Sequence, residues 1–262
     1  MHNLDAYSPA EIATRVENVG VAKARMPRTQ VLALAGLAGA FIAFGAVFYT
    51  VVVTGSSLGF GITRAVGGLS FSLGLVLVVL AGAELFTGNN LVAMAWASGR
   101  ISSAELIGNW LLVYVGNAVG AFLIVALVLL ADTGGLADGA VGDTAVMIAR
   151  SKCALSASEA FSRGVLCNTL VCLAVWLAMG GHTFADKFLA VLFPITAFVA
   201  AGFEHSIANL FFLPWGIAEA GDPSLIAPAV ANLFWVTAGN VLGGSVLVAG
   251  TYWLVYIRHR SP

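Results

Sequence analysis

The sequence predicts an all-α membrane protein: six transmembrane helices in an inverted three-plus-three repeat, with the second and fifth helices broken. Composition is the first observation. Of the 262 residues 60% are hydrophobic and only 10% charged, and the mean hydropathy is +0.95, values outside the range of water-soluble domains. The second is a polar interruption that occurs twice in apolar surroundings. Ala81-Gly-Ala-Glu-Leu-Phe-Thr-Gly-Asn89 and Ala201-Gly-Phe-Glu-His-Ser-Ile-Ala-Asn209 share the pattern Ala-Gly-x-Glu-x-x-x-x-Asn. The third is a further matched pair, Asn109 to Gly120 and Asn232 to Gly243, both reading Asn-x6-Gly-Asn-x-x-Gly. Three spans per copy is an odd number, so the second copy enters the membrane from the opposite face. Paired broken helices in such repeats mark a substrate site near the midplane.

The elements follow in order. Ala10–Lys23 places Ile12, Val16, Val19 and Ala22 at helical spacing, which predicts a short amphipathic helix on the membrane surface. No cleavable signal peptide is read before the first span. Val31–Val53 is the first uncharged run, long enough for a span of roughly 20 residues. Ala65–Ala83 is the second and stops at Glu84; Leu91–Ala97 follows as the far half of a broken helix. Leu106–Ala131 is the third span and Asp132–Ser158 a polar connector. Gly164–Gly181 is the fourth span, His182–Lys187 a short loop, and Phe188–Phe203 a fifth span interrupted at Glu204, with Ile207–Leu213 beyond. Glu219, Asp222, Pro223 and Pro228 predict a turn. The run Pro223–Ile257 is long for one straight span, so the sixth is placed at Val230–Ile257. The whole chain, 1–262, reads as one channel domain, with an N-terminal segment 1–27 and repeats at 28–131 and 158–258.

Basic residues orient the chain. Arg15, Lys23, Arg25, Arg28, Arg100, Lys187, Arg258 and Arg260 fall on one side; Arg64, Arg150, Lys152 and Arg163 fall on the other. Eight against four puts both termini in the cytoplasm, in a multi-pass protein of the cell inner membrane. A net charge of −1 and the lack of a basic, aromatic-interleaved stripe give no reason to expect nucleic acid. Cys153, Cys167 and Cys172 fit neither a disulfide framework nor a metal site, and read as small apolar filler. No nucleophile elbow, zinc helix or phosphate loop is present, so neither cofactor nor metal is expected. An intramembrane enzyme using His205 and Glu204 as an acid–base pair is the rival reading, and it lacks a nucleophile.

Irregular backbone at membrane depth persists only where protein buries it or a cavity wets it. Glu84 and Glu204 either accept from freed backbone N–H groups or neighbouring asparagine amides, which pins the broken helices, or face the substrate directly. His205, on a break, is expected to face the pathway, where an imidazole can donate to an anion or exchange a proton with it. Thr87 can turn its hydroxyl to the same cavity. Asn168, Asn209 and Asn240 line a pathway or hold helices together, while Gly116, Gly120, Gly239, Gly243 and Gly244 permit close helix approach.

Glu84-Leu-Phe-Thr-Gly-Asn, Leu166-Cys-Asn-Thr-Leu-Val-Cys-Leu-Ala-Val-Trp176, Gly202-Phe-Glu-His-Ser-Ile-Ala-Asn209 and Val-Thr-Ala-Gly-Asn240 together resemble the formate/nitrite transporter family over about Gly20 to Arg258. The stretch Gly67–Leu75 and the ending Tyr252–Arg258 resemble its formate-channel branch, although Ala218–Ala229 is shorter than in that branch. The resemblance implies an aquaporin-like six-helix fold and a homopentamer in membrane lipid, with a pore in each protomer, carrying small monovalent weak-acid anions, formate first and nitrite second, passively or with protons. It also implies roles. His205 resembles the central histidine, Thr87 its partner, and Lys152 the vestibule lysine; Glu204, Asn168, Asn209 and Asn240 occupy matching positions. Phe71, Leu75 and Phe198 resemble the periplasmic constriction, and Leu85, Phe86 and Val171 the cytoplasmic one.

Overall fold

A computed structural model describes residues 6–258; Arg260 of the orientation argument lies outside them. The chain begins with α1 (Pro9–Ala24), where Ser8 and Glu11 exchange side-chain and backbone hydrogen bonds as a capping box. Those bonds from the Ser8 hydroxyl and amide hold the Glu11 carboxyl below the usual carboxylate range. The sequence places α1 on the membrane surface. It docks on the protein instead: Ile12, Ala13 and Val16 are buried, and Ile12 and Val16 pack with Leu91, Met94, Trp176 and the end of the chain at Tyr256 and Ile257. An apolar stripe offered a protein surface is taken by it, and the two ends of the described chain therefore share one face.

Among the described residues, six helices are long and apolar enough to cross a membrane. They are α2 (Arg28–Val53), α3 (Phe60–Gly82), α5 (Ser103–Leu130), α7 (Ala157–Gly180), α8 (Phe184–Ala201) and α10 (Pro223–Tyr256). Between them lie α4 (86–97), α6 (Ala140–Cys153) and α9 (Ser206–Ala220). So α3 with α4, and α8 with α9, are the broken pairs. Helices α2 and α5 cross in the first half as α7 and α10 do in the second, and glycine makes both crossings possible. A Cβ on Gly120 would overlap the Gly36 carbonyl, and one on Gly243 the Val165 carbonyl.

Several boundaries differ from the sequence reading, each for a local reason. Asp132–Ser158 is not simply a polar connector: it contains α6, which buries Val141, Ala145 and Ala149, the last beside Leu213 of α9. Helix α7 starts at Ala157, before Gly164, because Ser156 and Glu159 form a capping box there. Likewise α8 starts at Phe184, inside the expected loop, capped by Thr183 and Asp186. Helix α3 starts at Phe60 and so includes Arg64. The sixth span begins at Pro223, not Val230. Pro223 sits in the first turn, where a missing N–H costs nothing, and Pro228 is only the third residue of the α-helical stretch Ile226–Val241. The helix continues as a π-helical stretch, Leu242–Gly250, so the run judged too long for one span is one helix.

Candidate functional site

The two breaks are built alike. Gly82 and Gly202 turn the chain at φ +84° and +75°, a conformation that disfavours any side chain, which accounts for the Gly of Ala-Gly-x-Glu. Three extended residues follow in each half before the next helix begins. Their freed backbone groups are collected by one buried asparagine per half. Asn117 Oδ1 accepts from the Phe86 amide (2.9 Å), while its Nδ2 donates to the carbonyls of Ala35 (2.8 Å) and Glu84 (2.9 Å). Asn240 Oδ1 accepts from the Ser206 amide (2.9 Å), and its Nδ2 donates to Gly164 (2.8 Å) and Glu204 (3.0 Å). The amides of Glu84 and Glu204 donate to Leu34 and Arg163 on the first helix of their own repeat. A broken helix inside the membrane thus leaves these groups paired, as the absence of water demands.

The two carboxylates are answered in the same way. Lys23 Nζ lies 2.7 Å from Glu84 Oε1 and 2.9 Å from Asn89 Oδ1; Asn89 Nδ2 donates to Glu84 Oε2 (2.7 Å). Lys152 Nζ lies 2.9 and 3.0 Å from the two oxygens of Glu204, and Asn209 Nδ2 donates to Oε2 (2.7 Å). Asn109 and Asn232 complete the sets by accepting from Asn89 and Asn209 and donating to the carbonyls of Lys23 and Lys152. Of the two readings for the glutamates, neighbouring asparagine amides do hold each carboxylate, joined by a lysine and without freed backbone N–H groups, and each glutamate also lines a cavity. Sequence reasoning gave Lys23, Asn117 and Asn232 no site role. The signal was there: Lys23 and Lys152 are each the penultimate residue of the helix that precedes a repeat.

The halves part company at the centre. His205 Nε2 and Thr87 Oγ1 are 2.9 Å apart, joining the two breaks. His205 Nδ1 accepts from the Ala208 amide (3.1 Å) and so caps α9; a neutral ring then carries its proton on Nε2 and donates to Thr87. In the matched pattern Leu85 stands where His205 does, and Ile207 where Thr87 does. Glu204 and His205 share no hydrogen bond, their polar atoms being committed elsewhere. Asn168 donates to Asn90 Oδ1 (2.9 Å) and the Asn240 carbonyl (2.6 Å), tying α7 to α4 and α10.

A cavity opens on either side of this centre. On the α1 face, about 350 Å³ is lined by Lys23, Glu84, Asn89, Leu75, Leu85 and Lys187, among others. On the other face, about 180 Å³ is lined by Lys152, Glu204, Asn209, His205, Phe71 and Phe198, with Arg64 and Arg163. No residue lines both. Phe71 and Phe198 meet edge to face, 5.7 Å between centroids, and Phe198 stacks on the His205 ring at 5.9 Å. Leu75, one turn beyond Phe71 on α3, already borders the α1-side cavity, so the three residues expected in one constriction divide between the two sides. Phe86 and Val171 are buried and, like Thr87, Asn168 and Asn240, line neither cavity.

The sequence profile described as Formate/nitrite transporter matches residues 10–254. The chain belongs to the formate/nitrite transporter family. Among relatives, the formate channel FocA of Escherichia coli (strain K12) is 41% identical over 276 aligned residues, covering 98% of this chain and 97% of that one. A probable formate transporter of Methanothermobacter thermautotrophicus is 39% identical over 96% of this chain and 97% of its own. Two solved structures share the fold. A pentameric formate channel with formate bound superposes with a TM-score of 0.81 at 39% identity, covering 88% of this chain and 98% of that one. An FNT family ion channel reaches 0.83 at 28% identity, covering 94% and 98%. This formate/nitrite transporter is therefore a multi-pass membrane protein whose two halves enclose a cavity on each face.

Proposed function

We propose that this protein is a formate channel: a passive or proton-coupled pathway for small monovalent weak-acid anions across the cell inner membrane, working as a homopentamer with a separate pore in each protomer. The observation that carries this reading is the arrangement of charge and apolarity along the path. Basic side chains line each cavity, and the walls also carry Phe71 and Phe198 on one side and Leu75 and Leu85 on the other, with one imidazole–hydroxyl pair joining the two breaks. A bare anion passing those apolar side chains pays a large desolvation cost and crosses more readily as the neutral acid. Lys152 and Lys23 favour the anion at the ends; His205 and Thr87 offer a hydrogen bond, or a proton, midway. The identity to formate channels over nearly the full length supports formate ahead of nitrite. The single domain spans 1–262, with repeats at 28–131 and 158–258. The eight basic residues that the sequence assigns to the side of the termini, against four on the other, support cytoplasmic termini.

The test is a flux panel in proteoliposomes: formate, nitrite, acetate, lactate and hydrosulfide, with and without a pH gradient. Formate and nitrite are expected to outrun lactate, an inward proton gradient to speed uptake, and the solute to emerge unchanged. Chemical conversion of formate, or no flux of any of the five, would overturn the reading.

A further inference from the structure

The lysines of the two glutamate sets do not act on an anion alone. Lys152 has both ammonium contacts on the Glu204 carboxylate, and Lys23 is divided between Glu84 and Asn89. A charge shared with a carboxylate attracts an approaching anion less than an unshared one does. Further cations near each pair therefore add to the attraction at the two mouths.

On the Lys152 face the remaining cations lining the cavity are Arg64 and Arg163. Arg64 is held in place by three of its five N–H groups, Nε on the Ala200 carbonyl, Nη1 on Tyr49 Oη and Nη2 on the Val199 carbonyl, so it caps the end of α8. Arg163 is different. Its backbone carbonyl holds the Glu204 amide, which places its side chain on the turn of α7 beside the break, half-buried in the cavity wall. Among the described residues its guanidinium makes no hydrogen bond and no ion pair; Glu159, one turn earlier on α7, gives one carboxylate oxygen to the Ser156 hydroxyl and amide and attracts Arg163 only weakly, as a charge at a distance. On the α1 face the corresponding free cation is Lys187. It lines the cavity, is half-buried, and has no hydrogen-bond or ion-pair partner among the described residues, since neighbouring Asp186 accepts from the His182 and Thr183 amides.

We propose that Arg163 and Lys187 are the first anion-binding groups of the two mouths, each taking a small monocarboxylate from solution before it reaches the lysine–glutamate pair. Arg163 presents a planar fork that matches a carboxylate in two parallel hydrogen bonds; Lys187 presents a point charge. The two mouths therefore bind through different chemistry although their inner sets match. The proposal rests on the reading of the protein as a carrier of small weak-acid anions.

The experiment is initial formate flux in proteoliposomes of determined orientation, measured separately from each face and across salt concentrations. The Debye length falls from about 30 Å at roughly 0.01 M salt to about 3 Å at 1 M, so the expected effects shrink as salt rises. At low salt, Arg163→Gln is expected to raise the half-saturating formate concentration roughly three- to tenfold for entry from the Lys152 face and to leave entry from the α1 face near wild type. Lys187→Gln is expected to give the mirror result. Arg163→Lys, which keeps the charge, is expected to retain the wild-type salt dependence. Unchanged half-saturation in both glutamine variants, equal losses from the two faces, or Arg163→Lys losing salt dependence as fully as Arg163→Gln would each overturn the inference. If wild-type vesicles carry no formate from either face, it is the function proposed above that fails.

Discussion

At position 152 the ammonium group is already answered by Glu204, and both side chains are nearly out of solvent. Removing one partner of a buried ion pair leaves the other uncompensated, at a cost of about 3–5 kcal/mol. Lys152→Ala should therefore lower the thermal unfolding temperature and leave a naked carboxylate in the path, cutting formate flux by roughly tenfold or more. Pairing it with Glu204→Gln should recover most of the stability and part of the flux. A single variant as stable as wild type would show that the pair contributes little. Phe198 poses a question of size instead. Its ring closes edge to face on Phe71 beside His205. Phe198→Ala should widen the cavity floor and raise the ratio of lactate to formate flux several-fold, at a stability cost of about 3–5 kcal/mol. An unchanged ratio in a folded variant would remove Phe198 from the constriction.

A broken helix stands or falls by where its backbone groups go. In each half a single asparagine makes three hydrogen bonds across the break, to one amide and two carbonyls on different elements. Leucine at either position would leave those groups unpaired in a place without water, at about 1–3 kcal/mol for each lost partner. Asn117→Leu and Asn240→Leu are expected to destabilise by similar amounts, about 3 kcal/mol or more, because the two networks correspond bond for bond. Detergent-denaturation midpoints of the two variants check this. A large gap between them would mean that one break is held by something besides its asparagine.

Taken whole, the molecule shows more apolar surface than six spans can bury among themselves. Leu111, Val115 and Val119 on α5 and Phe234 on α10 are all more than half exposed. Lipid covers such surface, and so does another copy of the chain. In the pentamer proposed above, native mass spectrometry should find a particle of five times 27.0 kDa plus bound lipid. A monomer or dimer stable across detergents would argue against five copies.

How much of this was legible beforehand differs between the outline and the site. Apolar length gave all six spans, and the duplicated Ala-Gly-x-Glu-x-x-x-x-Asn gave both breaks, because bilayer thickness and backbone hydrogen bonding constrain sequence directly. Ends were harder to read. Helices α7 and α8 start at capping boxes that lie outside the apolar runs, and Pro228 looks like a breaker until it falls in a first turn. The docking of α1 depended on a receptive surface at Leu91, Met94 and Trp176, which two separate elements, α4 and α7, supply.

The sequence by itself determined that the chain crosses the membrane six times, that its halves repeat in opposite senses, and that His205 and Thr87 stand on the two breaks. Only the tertiary structure decided what each polar residue is committed to. Asn117 and Asn240 hold backbone, Lys23 and Lys152 are paired with glutamates far away in the chain, and Arg163 and Lys187 have no hydrogen-bond or ion-pair partner among the described residues. The reason is physical. Hydropathy is a property of each residue and can be summed along a chain. A hydrogen bond or ion pair belongs to two residues, and only folding brings the second one within reach.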